Sequence, residues 1–120
     1  MPSSARKGAY YKGRTKRYLE RLGYEVADLE ISRILHTPNG LVPVKRDQFA
    51  SDLLAVSGTD CVFVQSKGGT SPADISGAVR KFAAHTFPPF VKLWIAVWKT
   101  GAHAPAIVDV RERVHFADLA

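Results

Sequence analysis

The sequence predicts an α/β domain, of the α+β kind, in which helices flank a mixed β-sheet. Three observations point to this class: a basic amphipathic segment near the start, a series of short apolar runs separated by turn signals, and a second helix-like segment ahead of the most apolar run. A chain of 120 residues suits one domain, residues 1–120, that buries its own core.

The first element is a helix predicted over residues 5–22. Ala9, Leu19 and Leu22 supply its apolar positions, which recur at helical spacing. Gly23 follows and is typical of the residue that ends a helix.

Strands are predicted next in the chain. Residues 24–34 are strand-like, and the TPNG segment at 37–40 is a strong turn signal between two extended stretches. Residues 51–56 and 61–65 are short strands, and the turn at 57–60 joins them as a hairpin.

The second half of the chain alternates helix and strand. A helix is predicted over residues 73–85, with Pro72 at its start. The most apolar run, residues 92–98, predicts a central strand, and residues 106–110 predict one more.

A surplus of positive charge bears on the partner. The net charge of +6 and the pI near 9.7 favour a polyanion such as nucleic acid. Cations crowd the first segment: Arg6, Lys7, Lys12, Arg14, Lys16, Arg17 and Arg21. They predict phosphate contacts, with a solvated helix face as the alternative. Arg33, Lys45 and Arg46 flank the hairpin and are further candidates, with a solvated loop as the alternative.

Several classes of protein are disfavoured. Cys61 is the only cysteine, so neither an internal disulfide nor a cysteine-based zinc site can form. The histidines lack metal-ligand spacing. No apolar run approaches the roughly 18 residues of a membrane span, and no apolar segment follows the N-terminal cations as in a secretory signal. We therefore expect an intracellular, cytoplasmic protein without a membrane partner.

The hairpin carries the candidate chemistry. Asp52 opens its first strand, and Gln65, Ser66 and Lys67 lie at the end of its second strand, so antiparallel pairing brings them together. A carboxylate, an amide oxygen and the carbonyl of Ser66 are hard ligands that suit Mg²⁺. Lys67 could orient a water or stabilise charge on a phosphate. The alternative is that these are ordinary surface residues.

These residues also resemble a known pattern. The SDLLAV segment, the twelve residues between Asp52 and Gln65, and the QSK segment together look like the PD-(D/E)XK nuclease motif. RKGAYYKGRTKRYLERLGY is similar to the first helix of archaeal-type Holliday-junction resolvases, and KRDQFASDLLAV resembles their phage and archaeal relatives. The similarity covers roughly residues 6–98.

The resemblance implies a restriction-endonuclease-like fold in a phage or prokaryotic protein. It implies a homodimer that cuts a branched DNA, the four-way junction, with Mg²⁺ or Mn²⁺ as cofactor. By the same resemblance Asp52 would ligate the metal, Gln65 would replace the second acidic ligand, and Lys67 would be the lysine of the motif.

Three positions depart from the family pattern. Ser51 replaces the proline, and the neutral Gln65 removes one negative charge from the site. Lys12 falls where resolvases have a metal-binding Glu in the first helix. Either another carboxylate substitutes or the site has lost strength. Asp47 and Glu30 are the candidate carboxylates, with Asp47 favoured because it lies just upstream of Asp52.

Two alternatives stay open beside a resolvase. The chain could be a branched-DNA-binding module of the same fold whose catalysis is weakened or lost. It could also be another PD-(D/E)XK nuclease, of the nicking or restriction type.

Overall fold

The structure, a computed structural model, describes residues 4–68 and 72–112, with the backbone alone at 4–7, 31–33, 43–47 and 72–74. In chain order the elements are α1 (Ser4–Arg21), β1 (Glu25–Asp28), β2 (Glu30–Thr37), β3 (Gly40–Asp47), β4 (Leu53–Val56), β5 (Cys61–Gly68), α2 (Pro72–Ala83), β6 (Lys92–Trp98) and β7 (Ala106–Asp109). No helix in the described part of the chain is both long enough and apolar enough to cross a membrane.

The main sheet has five strands in the order β1-β4-β5-β6-β7. The pairs β1–β4, β4–β5 and β6–β7 are antiparallel, whereas β5 and β6 are parallel and are connected through α2. The α/β class with a mixed sheet flanked by helices is therefore confirmed, as is the β4–β5 hairpin. β6, predicted as a central strand, is an interior strand with a partner on each side, and β5 is the middle strand of the five.

Residues 24–34, predicted to be strand-like, belong to two strands in different sheets, because the chain leaves the main sheet at Leu29. The Leu29 N–H donates to the Asp52 carbonyl at 2.9 Å, and the Glu30 N–H turns back to Asp28 Oδ1 at 2.8 Å. From Glu30 onward the chain pairs with β3 instead, in a separate two-stranded sheet. We call β2, β3 and their turn the ribbon.

Each helix packs on its own face of the main sheet. On one face Leu19 of α1 is buried among apolar side chains: Leu53, Ala55, Val62, Val64 and Ala96. On the other face Ala78 and Phe82 of α2 are buried with a second set: Val91, Leu93, Ile95, Val97, Val108 and Val110. Side-chain alternation along the strands separates these two cores, and burial of each large apolar side chain stabilises the fold by about 1.5–3 kcal/mol.

A polar chain of contacts fixes α1 to β6 within the first core. Trp98 Nε1 donates to Thr15 Oγ1 at 2.8 Å, and that hydroxyl donates to the Tyr11 carbonyl at 2.8 Å. The buried indole N–H and the hydroxyl are thus both satisfied, as buried polar groups must be. Arg14 lies over the Trp98 ring, 4.2 Å from its centroid, and donates to the Ala102 carbonyl at 2.9 Å.

The turn between the ribbon and β4 has an uncommon backbone. Phe49 and Ala50 both have positive φ, 52° and 56°, and the Ser51 N–H donates to the Gln48 carbonyl at 2.9 Å. Positive φ at both central residues is the geometry of a type I′ turn, which Asn and Gly adopt more readily than Phe and Ala. The backbone immediately before Asp52 therefore carries local strain.

We predict that Ala50→Gly raises the free energy of unfolding by about 0.5–1 kcal/mol, because glycine adopts positive φ without the clash of a Cβ. Ala27→Gly is the matched control, since Ala27 lies on exposed β1 without positive φ and should lose stability. Urea unfolding of both variants measures the difference. Equal destabilisation by the two substitutions would contradict the strain.

Candidate active site

The position of Asp52 depends on a slip in the β4–β5 ladder. Leu53 is the register partner of Val64, yet the Asp52 N–H also donates to the Val64 carbonyl, at 2.9 Å. Two residues of one strand therefore oppose one residue of the next, which defines a β-bulge. A bulge re-aims a side chain relative to strict alternation, and here it acts on the acid of the candidate site.

The Asp52 carboxylate binds the segment predicted to lie beside it. Its Oδ2 atom accepts the Ser66 N–H at 2.9 Å and the Ser66 hydroxyl at 3.1 Å. The hairpin thus brings Asp52 to the middle residue of QSK. The described residues make no hydrogen bond to Oδ1, which leaves that oxygen as the available ligand atom of the carboxylate.

Alternation along β5 separates the other residues of the motif. Val62 and Val64 belong to the core under α1, whereas Phe63 packs against the core under α2. Gln65 and Lys67 continue the Phe63 series, so they share a face. Ser66 continues the opposite series and faces α1. The contacts of the described residues accordingly join Asp52 to Ser66 and not to Gln65 or Lys67.

Gln65 has an unusual environment for a polar side chain. It is only 3% exposed, and its Nε2 atom is buried without a hydrogen-bond partner among the residues that the structure describes. An unsatisfied buried amide costs about 1–3 kcal/mol, and a half-turn of the amide exchanges its nitrogen for its oxygen. The oxygen in that position could take a cation or a water.

The donor set fits Mg²⁺ in kind, with one carboxylate, one amide oxygen and the backbone carbonyl of Ser66, but it supplies a single negative charge. Within residues 4–68 and 72–112, no group of three or more His, Cys, Asp or Glu side chains is arranged to hold a metal ion. These residues therefore suit a weakly held divalent ion.

Lys12 is paired with two acids. Its Nζ lies 2.9 Å from Asp28 Oδ2 and 3.3 Å from Glu30 Oε1. Burial alone would lower the Lys12 pKa, but the hydrogen bonds and charges of Asp28 and Glu30 outweigh it and raise that pKa. Burial alone would raise the Asp28 pKa. The hydrogen bonds from Lys12 and from the Glu30 N–H outweigh this effect, so the Asp28 pKa is lowered. Lys12 thus neutralises acids beside the site.

The two candidates for a substitute acid lie at the base of the ribbon. Glu30 and Asp47 are direct register partners, and the adjacent Leu29 N–H binds the Asp52 carbonyl. Glu30 contacts Lys12. The Asp47 side chain is outside the described set, so the preference for Asp47 stays a prediction.

The cations of α1 fall into two groups. Lys12 and Arg14 are engaged within the molecule, by acids and by Trp98 respectively. Lys16, Arg17 and Arg21 are exposed, which makes them the better candidates for phosphate contacts. The remaining candidates have side chains that the structure leaves undescribed: Arg6, Lys7, Arg33, Lys45 and Arg46.

Sequence reasoning missed Tyr11 and Asp28. The Tyr11 ring lies against Gly68, where any Cβ would overlap it, and is also stacked on Trp98 at 6.3 Å between centroids. The glycine that directly follows Lys67 was the available signal, because close approach is a common reason for glycine in a strand. Asp28 gave no signal, since an acid ending a strand is common.

Comparisons with known proteins assign no family. No family model matches the chain, and no curated protein matches it. Among solved structures the chain is similar to the crystal structure of a protein of unknown function, AF1548, with 14% sequence identity and a TM-score of 0.41. The similarity covers 90% of this chain and 54% of that one, so the chain spans about half the length of that protein. We base neither fold nor function on a similarity at this level.

Gly68→Ala should destabilise the protein by about 1–3 kcal/mol, because the new methyl group would overlap the Tyr11 ring. Gly58→Ala is the matched control, since a Cβ there meets nothing within 4 Å. Thermal unfolding measures both, and Tyr11→Ala combined with Gly68→Ala should recover part of the loss. A Gly68→Ala protein as stable as the control would refute the close contact.

The lowered Asp28 pKa predicts a pH dependence. A carboxyl whose folded pKa lies below its ordinary 3.8 adds stability above that pH and loses it as pH falls through the folded value. Asp28→Asn should therefore reduce the loss of stability below about pH 4. At pH 7 the same substitution should lower the free energy of unfolding by less than about 1 kcal/mol, because the ion pair that it removes is exposed. Urea midpoints between pH 2 and pH 7, with Glu25→Gln as control, test this. Parallel curves for wild type and Asp28→Asn would contradict it.

Proposed function

We propose that this protein is a divalent-metal-dependent DNA endonuclease of the PD-(D/E)XK kind, acting on branched DNA such as the four-way junction. The observation that carries the proposal is the β4–β5 hairpin, which holds the Asp52 carboxylate against Ser66 in the QSK segment. The order of helix, hairpin, helix and parallel strand around it agrees with the fold that the resemblance implies. The amide of Gln65, in the same segment, is buried without a hydrogen-bond partner among the described residues, which adds support.

In this proposal Asp52, Ser66 and Gln65 bind the metal, and Lys67 acts on the water or the phosphate. Asp52, through the carboxylate oxygen not bound to Ser66, would hold Mg²⁺ or Mn²⁺ together with the Ser66 carbonyl. The amide of Gln65, on the other face of β5, would complete this set only for an ion that lies at the end of the strand, between the two faces. When bound, such an ion polarises a phosphate and lowers the pKa of a water. Lys67 orients that water or stabilises charge on the phosphate.

The exposed cations of α1 supply the DNA contact in this proposal. Lys16 and Arg17 bind phosphates, which gives sequence-independent and salt-sensitive affinity. Symmetric cuts across a four-way junction need two active sites related by a two-fold axis, so the active form would be a homodimer.

The second candidate is a module of the same kind that binds branched DNA without cutting it. The specific observation in its favour is Lys12, which stands at the position of the family's metal-binding acid and is held there by Asp28 and Glu30. Together with the neutral Gln65, it leaves fewer negative charges for a metal than the family pattern has.

Cleavage of a labelled four-way junction in Mg²⁺ separates the candidates. Asp52→Asn keeps an acceptor for Ser66 but removes the charge, so it should reduce cutting by about a hundredfold or more with binding nearly unchanged. Lys67→Ala should act in the same way. Glu20→Gln is the matched control, because it removes one exposed carboxylate from α1.

The outcomes are distinct. Cutting that survives Asp52→Asn would overturn the proposed site. Junction binding by the wild type without cutting, in Mg²⁺ and in Mn²⁺, would establish the binding module instead. Equal cutting of linear duplex and junction would point to a nicking or restriction-type enzyme.

A further inference from the structure

The ribbon is a separate two-stranded sheet with no role in the proposed chemistry. Its register runs from Glu30↔Asp47 at the base to Thr37↔Gly40 at the tip, and each strand has 8 residues. At the usual rise of an antiparallel strand this gives a length of about 27 Å. A two-stranded ribbon of this kind fits the major groove of DNA.

The distal part of the ribbon presents aliphatic side chains to solvent. Ile34 is 64% exposed, Leu35 46%, Leu41 64% and Val42 43%. The register places Leu35 and Val42 on one face of the ribbon, and Ile34 and Leu41 on the other. Neither face is therefore hidden against the body of the protein, and a cluster of exposed aliphatic side chains marks a binding site.

Charge along the ribbon identifies the class of partner. Residues 31–46 contain Arg33, Lys45 and Arg46 but no Asp or Glu, and the acids Glu30 and Asp47 stand at the base. Two copies of the ribbon docked on each other would bring like charges together, which disfavours a second copy. Pro43 also removes an N–H from β3 and so weakens strand addition at that edge. The phosphates of a nucleic acid complement the cations, and its bases give the exposed aliphatic side chains an apolar contact.

We propose that the ribbon is a DNA arm whose strands lie in a groove and whose aliphatic tip inserts between bases at a branch point. The inference rests on the proposed function only in that DNA is the partner. Aliphatic side chains act as wedges between base steps in other DNA-binding proteins, and unstacking costs a few kcal/mol per step in a continuous duplex. A branch point already interrupts stacking, so the wedge enters there at less cost.

The base of the ribbon connects this arm to the candidate active site. One strand begins beside Leu29, whose N–H binds the Asp52 carbonyl, and the other ends one residue before the strained turn that leads into Asp52. The base of the ribbon is thus joined directly to the backbone of Asp52, and the tip lies a full ribbon length away. The ribbon therefore fixes how far from the branch the phosphate opposite Asp52 lies.

The test uses a four-way junction with 2-aminopurine at the branch, because the fluorescence of this base rises when it unstacks. Wild-type protein, in Ca²⁺ or without metal so that no cutting is needed, should raise the signal. Ile34→Thr with Leu41→Thr should remove most of the rise and weaken junction binding about tenfold or more, while linear-duplex binding changes little. Threonine keeps strand propensity, so the ribbon should still form.

Matched variants make the result specific. Leu35→Thr with Val42→Thr tests the other face of the tip, and Val56→Thr replaces an exposed strand residue of β4 outside the ribbon. The control should leave both the fluorescence and the junction preference unchanged. Circular dichroism confirms that each variant is folded.

Three outcomes would overturn the inference. The first is a full fluorescence rise and full junction preference in both tip variants. The second is a wild-type dimer that becomes monomeric in the tip variants with the fluorescence rise intact, since the ribbon would then be an interface between copies. The third is absence of DNA binding by the wild type, which would also overturn the proposed function. Binding with a tip-dependent signal but without Asp52-dependent cutting would support the DNA arm and overturn only the nuclease proposal.

Discussion

Strand β5 is constrained from four directions, by β4 and β6 in the sheet and by the two cores above and below it. This fixes the direction of every side chain from Cys61 to Lys67. The QSK segment lies at the end of that strand. Its side chains therefore continue to alternate between the two faces of the sheet, as Val62, Phe63 and Val64 do. Ser66 is presented to α1 and to the Asp52 carboxylate, while Gln65 and Lys67 are presented to the opposite face. The bulge at Asp52 matters because it places an acid at the boundary between the two environments.

The charges around the site form a second layer of organisation. Lys12 stands at the position where the resemblance implies a metal-binding acid. Asp28 and Glu30 both form ion pairs with it, so its charge is compensated within the fold. The same three groups tie α1 to the point where the chain leaves the main sheet for the ribbon. These ion pairs connect the helix to the base of the ribbon, close to Asp52. The same charges therefore stabilise the fold and set the local charge around the candidate site.

Local signals were enough to predict the helices and the β4–β5 hairpin. Gly23 ends α1, Pro72 opens α2, and the turn at 57–60 with its flanking apolar runs specifies the hairpin. The features that escaped prediction depend on partners distant in sequence or on a shift of one residue. Trp98 binds Thr15 across 83 positions, which no periodicity reveals. The bulge at Asp52 and the break at Leu29 arise from hydrogen bonds to neighbouring strands rather than from residue type.

The ribbon also has a consequence for how this protein behaves in solution. Each of its strands has an outer edge whose backbone groups can pair with an added strand, and aliphatic side chains surround that edge near the tip. Pro43 protects the edge of β3, but β2 contains no proline. Mutual repulsion from the net charge of +6 then keeps copies apart at low ionic strength. Added salt shortens the Debye length from about 10 Å at 0.1 M to about 3 Å at 1 M, so concentrated salt weakens the repulsion that opposes pairing of copies through β2.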